Sequence, residues 1–238
     1  MNIEANLQLV RQEYLTRLTG GDGTLLRQVE QHLAGRTGKM LRPRLTLLAA
    51  ATLGDDTLNA RRTTLMATAV EMLHNASLLH DDVIDHADTR RGQPSVNAQW
   101  NSQIAILVGD YHLAQLMQLL DEADDHEATR LINRTVIAMV QGELLQQEIL
   151  AGTELTRDNY LKIIDAKTAR LFATACALGN PLYHDFGLHF GRLFQLRDDI
   201  DDGEDNPWTR TLIDEEQALL ATLPQLPIDG LALQENLH

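Results

Sequence analysis

The stretch His74-Asn75-Ala76-Ser77-Leu78-Leu79-His80-Asp81-Asp82-Val83-Ile84-Asp85 carries the densest potential for chemistry in the chain. On a helix, residues three or four apart share a face, so His74, Ser77, Asp81 and Asp85 line up together. The spacing recurs in Asp198-Asp199-Ile200-Asp201-Asp202, where Gly187, Gly191, Gln195, Asp198 and Asp202 form one face and the two glycines leave room for a ligand or another helix. A single Asp-Asp-x-x-Asp is as readily a solvated helix end as a site. Two of them, on separate helices, repel each other unless cations intervene. Hard oxygen ligands of this kind suit Mg²⁺, which keeps waters and shares its shell with substrate phosphates. A phosphorylated substrate between the clusters is the reading.

Such a substrate also needs cations from the protein. Lys39, Arg42 and Arg44 precede an apolar helix, Arg90-Arg91 follow the first cluster, and Lys167 interrupts the apolar segment Leu161–Leu171. A charge in that segment is costly without a partner. Each basic site alone reads as ordinary surface pairing; together, beside paired aspartate-rich helices, they read as anion contacts.

The elements that must position these groups are helical. Leu65, Ala69, Met72, Ala76, Leu79 and Val83 step by four and three, as do Phe190, Leu193, Leu196 and Ile200, and Leu161, Ile164, Thr168 and Leu171. No alternating β pattern competes, so the expected class is all-α. Breaks fall at Thr19–Gly23, Gly35–Gly38, Gly92-Gln93-Pro94, Ala151-Gly152-Thr153 and Gly179-Asn180-Pro181. None is long enough to be a linker, which predicts one core domain over residues 1–205. Residues 206–238 read as an acidic, proline-containing tail, loosely packed apart from a short helix across 211–222. From Asp201 onward there are nine acidic residues and one basic residue, Arg210.

The 238 residues are 44% apolar and carry a formal charge of −14, enough for a substantial core and adverse to a nucleic-acid surface. Cys176, the single cysteine, lies in an apolar run and reads as core. The start has no basic segment leading into an apolar one, and no run reaches the roughly 18 residues of a membrane span. A cytoplasmic protein is expected.

Six ordered motifs resemble the trans-polyprenyl diphosphate synthases, head-to-tail prenyltransferases, and those making medium to long chains, such as octaprenyl diphosphate synthase, most of all. They are Gly38-Lys39-Met40-Leu41-Arg42-Pro43, the first aspartate cluster with Asp88–Gly92, Gly109-Asp110-Tyr111, Gly142-Glu143, Lys167–Phe172, and Phe194-Gln195 before the second cluster. The resemblance implies the isoprenoid synthase fold: roughly ten helices around a central cavity, here C-terminally shortened and lacking the usual last helices. It implies that Asp81 and Asp85, with Asp82, hold two Mg²⁺ on an allylic diphosphate, and that Asp198, with Asp199 and Asp202, holds a third. Arg90 and Lys167 would contact that diphosphate; Lys39, Arg42, His74 and Arg91 would hold isopentenyl diphosphate; Thr168 and Gln195 would turn oxygens toward developing positive charge. Small residues at Ala76 and Ser77 would leave the pocket open to a long product.

Three functions remain open on the sequence. One is Mg²⁺-dependent condensation of isopentenyl diphosphate with an allylic diphosphate, by a homodimer or heteromer that touches membrane only transiently to release a lipid product. Another is a non-catalytic or regulatory subunit of a hetero-oligomeric synthase. The last is a His-Asp metal phosphohydrolase, suggested by His80-Asp81.

Overall fold

Helix formation follows the apolar stripes, and the computed structural model describes residues 2–19, 25–34, 38–204 and 206–226. In chain order the helices are α1 (Ile3–Leu18), α2 (Leu25–Ala34), α3 (Leu41–Ala51), α4 (Asp55–Asn59), α5 (Arg61–Ile84), α6 (Val96–Gln99), α7 (Ser102–Ala123), α8 (His126–Leu150), α9 (Arg157–Ile164), α10 (Arg170–Gly179), α11 (His184–Asp201) and α12 (Thr209–Thr222). The all-α expectation holds, with one small exception. A two-stranded ribbon, β1 (Thr89–Arg90) and β2 (Gln93–Pro94), follows α5. The breaks foreseen at 20–23 and 35–37, Asp205 and the tail from 227 onward lie outside the described residues.

Helix α5 is the central post. Its stripe Leu65, Ala69, Met72, Ala76 and Leu79 is buried, and Leu65, Met66, Val70 and Leu73 pack with Leu116, Leu119, Leu120, Ile132 and Leu171 from α7, α8 and α10. A second core joins Leu45, Leu48, Phe172, Cys176, Phe186 and Phe190 across α3, α10 and α11. Burial pushes the Cys176 thiol far above its usual range, which fits an inert core residue. Among the described residues no helix is long and apolar enough to cross a membrane.

The segment after Asp201 is better packed than its composition suggests. Helix α12 begins two residues before the predicted start and lies on α11, with Leu212 sharing a core with Tyr160, Ile164 and Leu196. Its buried Glu216 takes Arg192 Nη1 at 3.0 Å and pairs with His189. Leu226 reaches back into the core around Phe186. Acidic composition hid this because the acid that matters, Glu216, is buried and paired, while Leu212, Ile213, Leu220 and Leu223 supply the apolar contacts.

The glycines of α11 admit a helix. A Cβ at Gly191 would lie 2.6 Å from Ala169 Cα, and one at Gly187 would lie 2.6 Å from the Phe172 carbonyl oxygen. Backbone cannot yield as a flexible side chain can. Gly191→Ala is therefore expected to destabilise the protein by about 1–3 kcal/mol in urea unfolding; an unchanged midpoint would contradict this packing.

Candidate active site

Helices α3, α5, α8, α9 and α11 enclose a cavity of about 1100 Å³. Carboxylates and cations gather on part of its wall, while Met139, Ile149, Leu155, Ile163, Leu171 and Phe194 supply apolar surface. Lys39, Arg42, His74, Asp81, Asp85, Arg90, Arg91, Lys167, Thr168, Gln195, Asp198 and Asp199 all line it, so distant stretches of sequence converge. Of the two small residues, Ser77 faces this cavity and Ala76 is buried without lining it.

Both aspartate clusters end their helices in the same way. At α5 the cap is Asp85, His86 takes φ 52°, and the Ala87 amide donates to the Asp82 carbonyl at 2.9 Å. At α11 the cap is Asp202, Gly203 takes φ 76°, and the Glu204 amide donates to the Asp199 carbonyl at 2.7 Å. Each is a Schellman stop, with the last Asp of Asp-Asp-x-x-Asp as the cap. Carboxylates therefore sit where the helix dipole is negative, the wrong end for them.

Within each cluster the members part company. Asp82 is 4% exposed and turned from the cavity, where its Oδ1 accepts from Arg90 Nε at 2.9 Å. Asp199 is 8% exposed; its Oδ1 accepts from Gln195 Nε2 at 2.7 Å and its Oδ2 from the Tyr160 hydroxyl. Asp202 lies beyond the helix end and does not line the cavity, whereas Asp201 and Glu204 do. Of the six aspartates expected to hold metal, Asp81, Asp85, Asp198 and Asp199 line the cavity, and Asp82 and Asp199 also have protein partners. Helical phase carried that signal: Asp82 falls three residues after Leu79, and Asp199 three after Leu196, on buried stripes.

Among the described residues no three His, Cys, Asp or Glu side chains are grouped closely enough to hold a metal by themselves. The donor set still fits a hard cation that takes its other ligands from water or phosphate. Burial, and then Glu143 and Asp85, push Asp81 up to about 6 against the pull of Lys167 and Arg90. Burial and the neighbours Asp202, Asp199 and Asp201 raise Asp198. These are carboxylates short of positive charge.

The cations are held in place by separate devices. In the ribbon, Arg91 and Gly92 both take positive φ, the pattern of a type I′ turn, and the tight loop keeps Arg90 and Arg91 beside α5. Composition-based reading saw only a break there. Arg42 lies in the first turn of α3 over the Phe172 ring, 4.3 Å from its centroid. Its Nη1 is 3.2 Å from His74 Nε2, which must accept because arginine only donates. Burial and the nearby Arg42, Arg91 and Arg90 hold His74 well below its usual range, so the ring is neutral with its proton on Nδ1. Burial lowers Arg42 to about 10, leaving it charged at neutral pH, and its Nε is buried without a partner. Arg44 instead pairs with Glu4 on the surface at 2.5 Å.

Lys167 and Thr168 sit in a π-helical turn, Asp165–Ala169, between α9 and α10. Such single turns commonly mark functional sites, because the extra residue re-aims side chains. Gly142 on α8 makes the approach feasible; a Cβ there would meet that of Ala166 at 2.6 Å. Lys167 Nζ then reaches Glu143 at 2.5 Å and Gln146 at 2.7 Å, the partners its burial requires. Thr168 Oγ1 donates to Gln195 Oε1 at 2.7 Å.

Several residues escaped the sequence reading. Glu71, 5% exposed and raised by burial, lines the cavity one turn before His74 among the charges of Arg42, Arg91 and Arg11. Its i, i+3 relation to His74 was available as a signal. Tyr160 and Gln146 come from other helices, and only the tertiary arrangement brings them in; Glu143, already within the Gly142-Glu143 motif, gains its role as the partner of Lys167 only from the structure. His80 faces α7, 3.3 Å from both the Ile106 carbonyl oxygen and Asp110 Oδ1, and does not line the cavity with Asp81. That removes the geometric basis for the phosphohydrolase reading.

Comparison with known proteins agrees with the family that the motifs resemble. Residues 23–209 match the family model described as polyprenyl synthetase. The chain is 38% identical over 185 residues to the all-trans-nonaprenyl-diphosphate synthase (geranyl-diphosphate specific) of Rhodobacter capsulatus, covering 74% of this chain and 56% of that protein. It is 34% identical over 196 residues to heptaprenyl diphosphate synthase component 2 of Bacillus subtilis, covering 78% and 56% respectively. A crystal structure of polyprenyl synthase from Caulobacter crescentus, complexed with calcium and isoprenyl diphosphate, superposes with TM-score 0.77 at 33% identity, covering 82% of this chain and 62% of that one. The chain spans a little over half the length of the two curated relatives.

The raised Asp81 has a signed consequence. Between its ordinary value near 3.8 and about 6 the folded protein binds more protons than the unfolded, so stability falls as pH rises through that window. Above it the cost is complete, on the order of 2–3 kcal/mol. Asp81→Asn should raise the stability of the metal-free protein at pH 7.5 by up to that amount in denaturant titration. A loss of stability would contradict the charge-strain account.

Proposed function

The chain belongs to the polyprenyl synthetase family, and on that premise we propose that it elongates an allylic diphosphate by condensation with isopentenyl diphosphate, as a Mg²⁺-dependent trans-polyprenyl diphosphate synthase. One observation carries the reading: two aspartate-bearing helix ends, two groups of cations and apolar walls share a single cavity.

Asp81 and Asp85 on α5 and Asp198 on α11 would hold Mg²⁺. The bound ions would supply charge neutralisation, making diphosphate a competent leaving group. Arg90 and Lys167 contact the allylic diphosphate in this assignment and stabilise the negative charge that grows as the C–O bond breaks. Arg42, Lys39, Arg91 and neutral His74 hold the diphosphate of isopentenyl diphosphate, Arg42 offering its unpaired Nε. The isopentenyl double bond attacks the allylic carbocation, and the departed diphosphate removes the final proton. Thr168 and Gln195 face the developing positive charge. Met139, Ile149, Ile163 and Phe194 exclude water that would quench it. No protein nucleophile is needed.

A second copy of the chain forms part of this reading. Leu107 and Met117 on α7 and Ile137, Val140 and Leu144 on α8 are large apolar side chains more than half exposed, three of them at helical spacing. The name "component 2" carried by the Bacillus subtilis relative supports a heteromer as the alternative assembly, in which this chain would serve as one subunit. We place the activity in the cytoplasm, with transient membrane contact at product release.

Purified protein with Mg²⁺, labelled isopentenyl diphosphate and farnesyl diphosphate is expected to give longer prenyl diphosphates. Diphosphate release without carbon–carbon bond formation would overturn the assignment, and extension only with an added partner would support the heteromeric subunit. Because Ser77 and not Ala76 faces the cavity, Ser77→Phe is expected to shorten the product. Unchanged chain length on thin-layer analysis would remove Ser77 as a determinant.

A further inference from the structure

Four side chains from three packed segments form an ordered run of hydrogen bonds at the cavity wall. Tyr160 on α9 donates its hydroxyl hydrogen to Asp199 Oδ2, and Gln195 Nε2 donates to Asp199 Oδ1 at 2.7 Å. Thr168, in the π turn, donates to Gln195 Oε1 at 2.7 Å. The direction of the run is forced, because an ionised carboxylate only accepts. With both Asp199 oxygens taken, the Gln195 amide must present N–H to Asp199 and its carbonyl to Thr168. The Tyr160 ring in turn packs with Leu212 of α12 and with Trp208 just before that helix.

A lone amide has two flips of similar shape and opposite polarity. In the flip that this network requires, the Thr168 hydrogen is committed to Gln195, so lone pairs on the threonine oxygen remain for the cavity that both residues line. In the other flip, an NH₂ would face Thr168 and force its hydroxyl hydrogen outward. Oxygen lone pairs favour a nearby carbocation, and outward hydrogens oppose it.

We propose that Tyr160 and Asp199 are positioning residues that lock the Gln195 amide in one flip, so that the Gln195–Thr168 pair presents oxygen and not hydrogen to the reacting carbon. The inference rests on the prenyl-transfer reading. It also gives Asp199 a task other than holding metal, and it joins α12 to the chemistry, because the ring whose hydroxyl fixes Asp199 packs against Leu212 of that helix.

The test uses the near-isosteric variants Tyr160→Phe and Asp199→Asn, alone and combined, with far-UV circular dichroism as the folding control. Each single change is expected to lower kcat on the order of 10- to 100-fold, the range typical for losing an outer partner that orients a functional group. The KM for isopentenyl diphosphate and the Mg²⁺ concentration for half-maximal rate should stay put. The double variant should be no slower than the worse single one, because one lock is lost once. A raised Mg²⁺ requirement in Asp199→Asn, with Tyr160→Phe unaffected, would overturn the proposal and return Asp199 to the metal. A second readout needs no turnover. In ¹⁵N-labelled protein the Gln195 side-chain amide, identified by its disappearance in Gln195→Glu, should give one exchange-protected pair of resonances. Asp199→Asn should split or broaden that pair. An unchanged pair would overturn the lock, whereas a wild type that extends no chain but shows the protected pair and its loss in Asp199→Asn would count against the prenyl-transfer reading alone.

Discussion

Two helices end on carboxylates at the pole where their own backbone is already negative, and much of the site can be understood as a response to that. Asp81 and Asp85 close α5, and Asp198 precedes the close of α11, each helix finishing in a Schellman stop that fixes where the acids stand. An acid at a helix C-terminus is disfavoured by a few tenths to about 1 kcal/mol on the surface, and burial adds to that. Folding alone would remove such residues. Their presence marks a protein that keeps local electrostatic strain for a partner carrying positive charge, the pattern in which function is set against stability.

The surrounding devices share a logic. A cation near Asp81, Asp85 and Asp198 would collapse onto them unless it were held, and three of the cavity's cations are held by other groups. Lys167 is tied to Glu143 and Gln146, Arg90 to Asp82, and Arg42 to His74 and the face of Phe172. The acids therefore stay unneutralised while the cations stay fixed nearby, ready for an anion that bridges the two groups. A diphosphate with divalent ions meets both demands.

Periodicity made the helices, the two acidic faces and the core stripes legible before any coordinates, because burial on a helix leaves a trace every three or four residues. It also contained information that a motif reading passes over: Asp82 and Asp199 follow the apolar stripes, and the structure finds both turned toward protein partners. What periodicity could not supply was non-local or non-helical. The Arg91-Gly92 turn depends on positive φ at a non-glycine residue, the π turn at Asp165–Ala169 leaves no compositional mark, and Tyr160 reaches Asp199 only once α9 packs on α11. The acidic stretch after Asp201 misled for a related reason, since Glu216 is buried in a pairing with His189 and Arg192 that no local pattern announces.

The central claim is that the acids and the cations of this cavity are incomplete apart and complete together with a metal-bridged diphosphate. Thermal unfolding with Mg²⁺ alone, inorganic pyrophosphate alone and both together tests it most directly, because a ligand that binds only the folded state raises Tm by mass action. The account predicts small shifts for either component and a much larger one for the pair, lost in Asp81→Asn. A full shift with Mg²⁺ alone, or a shift for the pair no greater than the sum of the two, would contradict it.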